Sequence, residues 1–127
     1  GHRIQAMNMR LREASPADIP SIRSIARAAW PVVYVGIITP AQITYMLDLM
    51  YCEASLQEQM TSKGHRFLLA EREGMPIGFA GFQHHYKPGR SRLHKLYVLA
   101  EVKGSGVGHS LMEAVLKEVQ REGDTAI

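Results

Sequence analysis

The sequence has 127 residues, a formal net charge of +3 at pH 7, 46% apolar residues and a single cysteine. This is the length of one domain with an ordinary apolar content. An internal disulfide is excluded because Cys52 has no partner, and no apolar run approaches the ~20 residues of a membrane span. The charge is small and its basic residues are scattered, so no nucleic-acid surface is expected. Gly1–Arg12 contains no apolar core of a signal peptide. With a lone thiol, a reducing, cytoplasmic setting is expected. Residues 1–8 read as a tag or linker remnant, which leaves 9–127 as the domain.

Met9–Glu13 alternates, with Met9, Leu11 and Glu13 against Arg10 and Arg12, and predicts a short first strand. Ser15-Pro16-Ala17-Asp18 is a helix start: a capping serine, a proline at the first helical position and an acid in the first turn. Ile19, Ile22, Ile25, Ala26 and Ala29 continue at helical spacing, and Pro31 is expected to stop the helix. Trp30–Gly36 then reads as an apolar linker. Thr39-Pro40-Ala41-Gln42 is a capping box, followed by the buried stripe Ile43, Met46, Leu47 and Met50. Glu53–Lys63 reads as a further short helix closed by Gly64.

From here the period changes to that of strands. Arg66–Glu71 and Met75–Tyr86 flank a Glu73-Gly74 turn and predict a hairpin. Lys87-Pro88-Gly89 leads into a third strand, Arg92–Leu99. The last helix carries Leu111, Met112, Val115, Leu116 and Val119 on one face and ends at Gly123. The order is β-α-α-β-β-β-α, which is α/β (α+β) with a mixed, largely antiparallel sheet and flanking helices.

Between the third strand and the last helix lies Lys103-Gly104-Ser105-Gly106-Val107-Gly108. Alternate glycines let a ligand approach the backbone, and the following helix aims free N–H groups and its positive end at the same place. This predicts an anion site for phosphate or pyrophosphate; the alternative is a tight turn with packing glycines. A P-loop is excluded because, counted from Gly104, Ser110 stands where its lysine would fall, and the Gly-x-Gly-x-Gly spacing differs from the dinucleotide Gly-x-Gly-x-x-Gly.

These residues resemble the GNAT acyltransferase family. Lys103–Gly108 looks like its acyl-CoA motif, Gln/Arg-x-x-Gly-x-Gly/Ala, with Leu96-Tyr97-Val98 before it and Leu111-Met112 after it as flanks. The resemblance covers most of Met9–Glu122. It implies an N-acetyltransferase that moves acetyl from acetyl-CoA to a primary amine of a small molecule or peptide, with no metal. Backbone N–H groups of Lys103, Gly104, Ser105, Gly106, Val107 and Gly108 would hold the pyrophosphate, with Ser110 adding a hydroxyl. Exposed backbone on Tyr97 and Leu99, or on their neighbours by one, would pair with pantetheine like an added strand, so that Leu96, Tyr97 and Val98 are cofactor-binding candidates. The Val98 or Leu99 N–H would serve the oxyanion.

The sequence departs from the family pattern in two places. Lys103 stands where Gln or Arg is usual, which keeps a cation but loses the planar fork. The family's further strand, tyrosine-bearing helix and final hairpin do not follow Ile127. The expectation is a partial domain with an uncovered sheet edge, which a second copy could fill as a homodimer. His94 is the candidate base, with an ordinary pKa near 6.5. It is read as sharing a face with Arg92, Leu96 and Val98. Trp30, Tyr34 and the Tyr45–Met50 stretch are expected to wall the acceptor pocket, Tyr34 and Tyr86 to offer hydroxyls, and Glu53 and Glu58 to attract a cationic amine. A module that binds CoA without turnover, or an inactive fragment, is the competing reading.

Overall fold

The computed structural model describes residues 9–127; the remnant expected at 1–8 lies outside them. Four strands, β1 (Met9–Glu13), β2 (His65–Arg72), β3 (Met75–Lys87) and β4 (Arg90–Val98), form one antiparallel sheet in the order β1-β2-β3-β4. Helices α1 (Ile19–Val33), α2 (Pro40–Tyr51) and α3 (Glu53–Thr61) separate β1 from β2, and α4 (Val107–Arg121) follows β4. The order therefore holds one helix more than the sequence formula. Cys52, extended at ψ 158, breaks α2 from α3.

Local chemistry fixes the helix starts. Arg12 clamps the Asp18 carboxylate at 2.7 and 2.9 Å, and Asp18 accepts the Ser15 N–H at 2.9 Å, so a 3-10 turn (Pro16–Asp18) leads into α1. Thr39 Oγ1 accepts from Gln42 N–H at 3.1 Å while Gln42 Oε1 accepts from Thr39 N–H at 2.8 Å. This satisfies two end groups of α2 reciprocally. Pro31 does not stop α1, which runs on to Val33. The proline removes one hydrogen bond, to the carbonyl of exposed Arg27, whereas Trp30 is only 5% exposed and anchors this turn in the core.

Each face of the sheet has its own core. Phe67, Leu69 and Phe79 pack under α1–α3 with Ile22, Ile25, Trp30 and Leu56. Leu68, Ala70, Ala80 and Phe82 pack under α4 with Val107, Leu111, Val115 and Val119. Each of those four α4 side chains contributes roughly 1.5–3 kcal/mol by burial. Gly78 is what lets α4 sit so close: a Cβ there would lie 3.1 Å from the Tyr97 carbonyl oxygen and 3.2 Å from Leu111 Cδ1.

Two irregularities shape the site. Gly81 pairs with Lys95 but Phe82 pairs with Leu93, so His94 is the extra residue of a bulge. Leu93 and Leu96 accordingly both pack toward α4. His94 instead stacks on His65 with ring centroids 4.2 Å apart, and His65 alternates with Phe67 and Leu69 on the α1–α3 face. The face expected for His94 is thus corrected.

The second irregularity follows α4, where the chain turns and Ala126 forms a parallel bridge with Arg90, its carbonyl accepting from Ser91 N–H at 2.9 Å. Asp124, 4% exposed, pins this turn by accepting from Ser91 Oγ at 2.7 Å and from the backbone and ring of His85 at 2.8 and 2.7 Å. The outer edge of β4 is therefore covered at its start. Beyond that it is open to Val98 among the described residues.

Candidate active site

Where β4 ends, a 3-10 turn (Ala100–Val102) and the glycine turn swing the chain into α4. A cleft of about 530 Å³ lies in the bend. Its walls are Leu96, Tyr97 and Val98 of β4, Val102, Lys103 and Gly104 of the turn, Gly106 to His109 at the start of α4, and Val33 from the end of α1.

The backbone of the turn divides into spent and unspent donors. Lys103 N–H donates to Ala100 C=O and Ser105 N–H to Val102 C=O, both at 3.2 Å, and Ser110 N–H donates to Gly106 C=O at 2.9 Å. The Ser105 hydroxyl also turns back to Val102, and neither Ser105 nor Ser110 lines the cleft. No backbone acceptor takes the N–H groups of Gly104, Gly106, Val107, Gly108 or His109 among the described residues. Gly106 reaches this geometry at φ +92, which a side chain resists. Unspent N–H groups at the start of a 15-residue helix, with Lys103 beside them, give the geometry that an anion cradle requires.

The cradle continues into the open edge of β4. Leu99 N–H donates to Ile77 C=O on β3 at 2.9 Å. Backbone direction alternates along a strand, so Tyr97 also faces β3, while Leu96 and Val98 turn their N–H and C=O groups to the open side. An extended amide ligand would find a strand's worth of partners there, and the Val98 N–H is free for an oxyanion.

Aromatic residues converge on the other face. Tyr34 and Tyr97 share a hydroxyl–hydroxyl hydrogen bond of 2.8 Å. The Trp30 ring lies 4.7 Å from Tyr34, 5.8 Å from Tyr97 and 5.9 Å from Tyr51. Burial, then the bond to Tyr34, pushes the Tyr97 phenol well above its ordinary pKa, and burial does the same to Tyr51. Trp30 Nε1 and the Tyr51 hydroxyl are buried without partners. The structure thus brings Trp30 and Tyr34 to Tyr97.

It does not bring every expected residue there. Tyr45 is 66% exposed. Tyr86 lies under Arg92, whose Nη1 donates to its hydroxyl at 2.6 Å, and Glu58 pairs with Lys63 at 3.6 Å. His94 does not line the cleft; its Nε2 is 3.0 Å from Gln83 Oε1. Burial, then Lys95 and Arg92, lowers its pKa. Lys95, 6% exposed, is a residue the sequence reading passed over, and its one signal was a cation inside an apolar run.

A family model described as "Acetyltransferase (GNAT) domain" matches residues 38–127. The chain belongs to the GNAT acetyltransferase family. It is 29% identical over 115 residues to the probable N-acetyltransferase Rv2775 of Mycobacterium tuberculosis, which covers 86% of this chain and 64% of that protein. The chain therefore spans just under two thirds of that relative's length. Among solved structures it resembles the PaiA N-acetyltransferase from Thermoplasma acidophilum in complex with coenzyme A. That likeness has a TM-score of 0.83 and 22% identity, covering 91% of this chain and 74% of that one. A GCN5-related N-acetyltransferase from Rhodopseudomonas palustris gives a TM-score of 0.73 and 24% identity over 90% of this chain and 67% of that one. These structural likenesses cover a larger share of the chain than the family match does.

Proposed function

We propose that this GNAT chain binds acetyl-CoA along β4 and the glycine turn, and that the acetyl group passes from it to a primary amine. The observation that carries the reading is the continuity of the unspent N–H groups at Gly104 and Gly106–His109 with the open backbone of Leu96 and Val98. Pyrophosphate oxygens would accept from the turn, with Lys103 adding charge and Ser105 and Ser110 standing behind it. The pantetheine amides would pair with Leu96 and Val98 beside Tyr97. The amine nitrogen would then attack the thioester carbonyl carbon, and Val98 N–H would hold the resulting oxyanion. As the C–S bond breaks, CoA leaves as thiolate and the amine sheds its proton.

His94 is the group we assign to take that proton through water. With Nε2–H donated to Gln83, its Nδ1 lone pair is free, and the bulge sets it on the sheet face of Trp30 and Tyr34, where the acceptor would enter. The single unpaired cysteine supports a cytoplasmic setting for this enzyme, and the transfer as proposed uses no metal. Edge pairing with a second copy would use the same Leu96 and Val98 backbone and so would compete with acyl-CoA.

Calorimetric titration with acetyl-CoA tests the binding half, and absence of heat would sink it. Acetylation across a panel of primary amines tests the transfer. Binding without acetylation of any amine would favour a CoA-binding module, a reading supported by the lack of a carboxylate among the residues lining the cleft.

A further inference from the structure

Lysine is seldom buried without a carboxylate beside it. Lys95 is 6% exposed, and no carboxylate pairs with it among the described residues. Its Nζ donates to Gln59 Oε1 at 2.8 Å and lies 5.8 and 5.6 Å from the ring centres of Tyr51 and Phe67. Gln59 cannot turn away, because its Nε2 donates to Met50 C=O at 3.0 Å and Ser55 Oγ at 3.2 Å. One neutral acceptor and two aromatic faces make a site that holds a cation without neutralising it.

That cation stands beside an unusual pair. The His65 and His94 rings lie parallel, 10° apart in plane at 4.2 Å, a geometry in which two imidazolium ions would repel strongly. The groups around the pair add positive charge. Arg92 and Lys95 come from β4, and Lys63 from the α3–β2 connection, where Glu58 meets it at 3.6 Å. Gln83 and Tyr86 from β3 and Gln59 from α3 are neutral. The bulge matters here as well: without the extra residue, His94 and Lys95 would point to opposite faces.

We propose that Lys95 is a positioning residue for His94: its buried ammonium adds to burial in keeping the stacked His65–His94 pair unprotonated, so that His94 Nδ1 retains its lone pair at neutral pH. The proposal rests on the assignment of His94 as base. Electrostatics support it. His65 is pushed down to about 4, by burial first and then by His94, Lys95 and Lys63. His94 is lowered by burial, then Lys95, then Arg92. Lys95 is itself lowered by burial to about 8, which leaves it mostly charged at pH 7.

NMR titration of the imidazole Hε1 protons, assigned with His65→Gln and His94→Gln, reads the pair directly. Wild-type His94 should titrate below 6.5; a midpoint at or above that value overturns the proposal. Lys95→Met keeps an unbranched chain between the two rings and removes the charge. It should raise the His94 midpoint, because the Lys95 charge no longer opposes protonation, whereas Lys95→Arg should leave the midpoint in place. An unmoved midpoint in Lys95→Met overturns the proposal, and Lys95→Gln supplies the same reading where the methionine variant does not fold.

If acetylation is measurable, the acid limb of kcat/KM should move up in pH by the same amount in Lys95→Met. A protein that shows the NMR shift but no acetylation on any amine would retain the electrostatic role of Lys95 and lose the catalytic one assigned to His94.

Discussion

Gly106 and Gly108 are one residue apart, yet alanine should act oppositely at the two. Gly106 sits at φ +92 with nothing near the place a Cβ would occupy, so the cost there is backbone strain alone, about 1–2 kcal/mol. For a domain of this length that lowers Tm by roughly 3–10 °C. Relief of the strain would also rotate the N–H groups of Gly106 and Val107. Losing one N–H bond to a charged oxygen costs about 1.5–3 kcal/mol, or on the order of tenfold or more in Kd for CoA. Gly108 already lies in α4, and its added Cβ would meet Val98 Cγ2 at 3.7 Å, an ordinary contact. Alanine there should gain a few tenths to about 1 kcal/mol of helix propensity, raise Tm and leave CoA binding unchanged. Differential scanning fluorimetry and calorimetry on both variants read these outcomes. Equal losses of Tm, or a Gly106→Ala protein that binds CoA like wild type, would refute the reasoning.

Gly78→Val should destabilise by about 1–3 kcal/mol in urea unfolding, because the Tyr97 carbonyl at 3.1 Å is backbone and cannot swing aside; a neutral result would mean that α4 sits less closely on the sheet. Tyr34→Phe and Tyr97→Phe, taken as a double-mutant cycle, should show a coupling of about 0.5–1.5 kcal/mol from the shared hydroxyl bond, and zero coupling would contradict it. Two groups mark the ends of the pH dependence. The depressed pKa of half-buried His65 contributes stability above 6.5 that is lost as pH falls toward about 4. Asp124, held low first by the Ser91 hydroxyl, contributes stability above its ordinary value of 3.8 that is lost further down. Urea midpoints should therefore fall from pH 6.5 toward 4 in wild type and fall less over that window in His65→Gln, where the lowered His84 and His94 still contribute, but not less in Asp124→Asn.

What the sequence made legible was what short-range chemistry dictates. Thr39–Gln42 read as a capping box because both partners lie within one turn. The glycine turn read as bare backbone opening a helix because the glycines and the helix start are adjacent in the chain. Pro31 misled because the opposing contribution, burial of the Trp30 ring, comes from residues as distant as Tyr97. His94 was set on the wrong face because a bulge is a mismatch between two strands, visible only in the pairing of Gly81 and Phe82 with Lys95 and Leu93. The Ala126 bridge was missed for the same reason. Lys103 and Ser105 were expected to offer their N–H groups, and only the 3-10 turn at Ala100–Val102 and the turn after it reveal that these donate within the turn.

Trp30 is the only tryptophan in the chain, and its indole is buried against Tyr34 and Tyr97. The molecule thus carries its own optical probe. Neighbouring phenols at these distances pass excitation to the indole, so one emission band reports on the strand that borders the cleft. An unlabelled stopped-flow experiment would time the arrival of CoA beside Tyr97, separately from any acetyl transfer that follows.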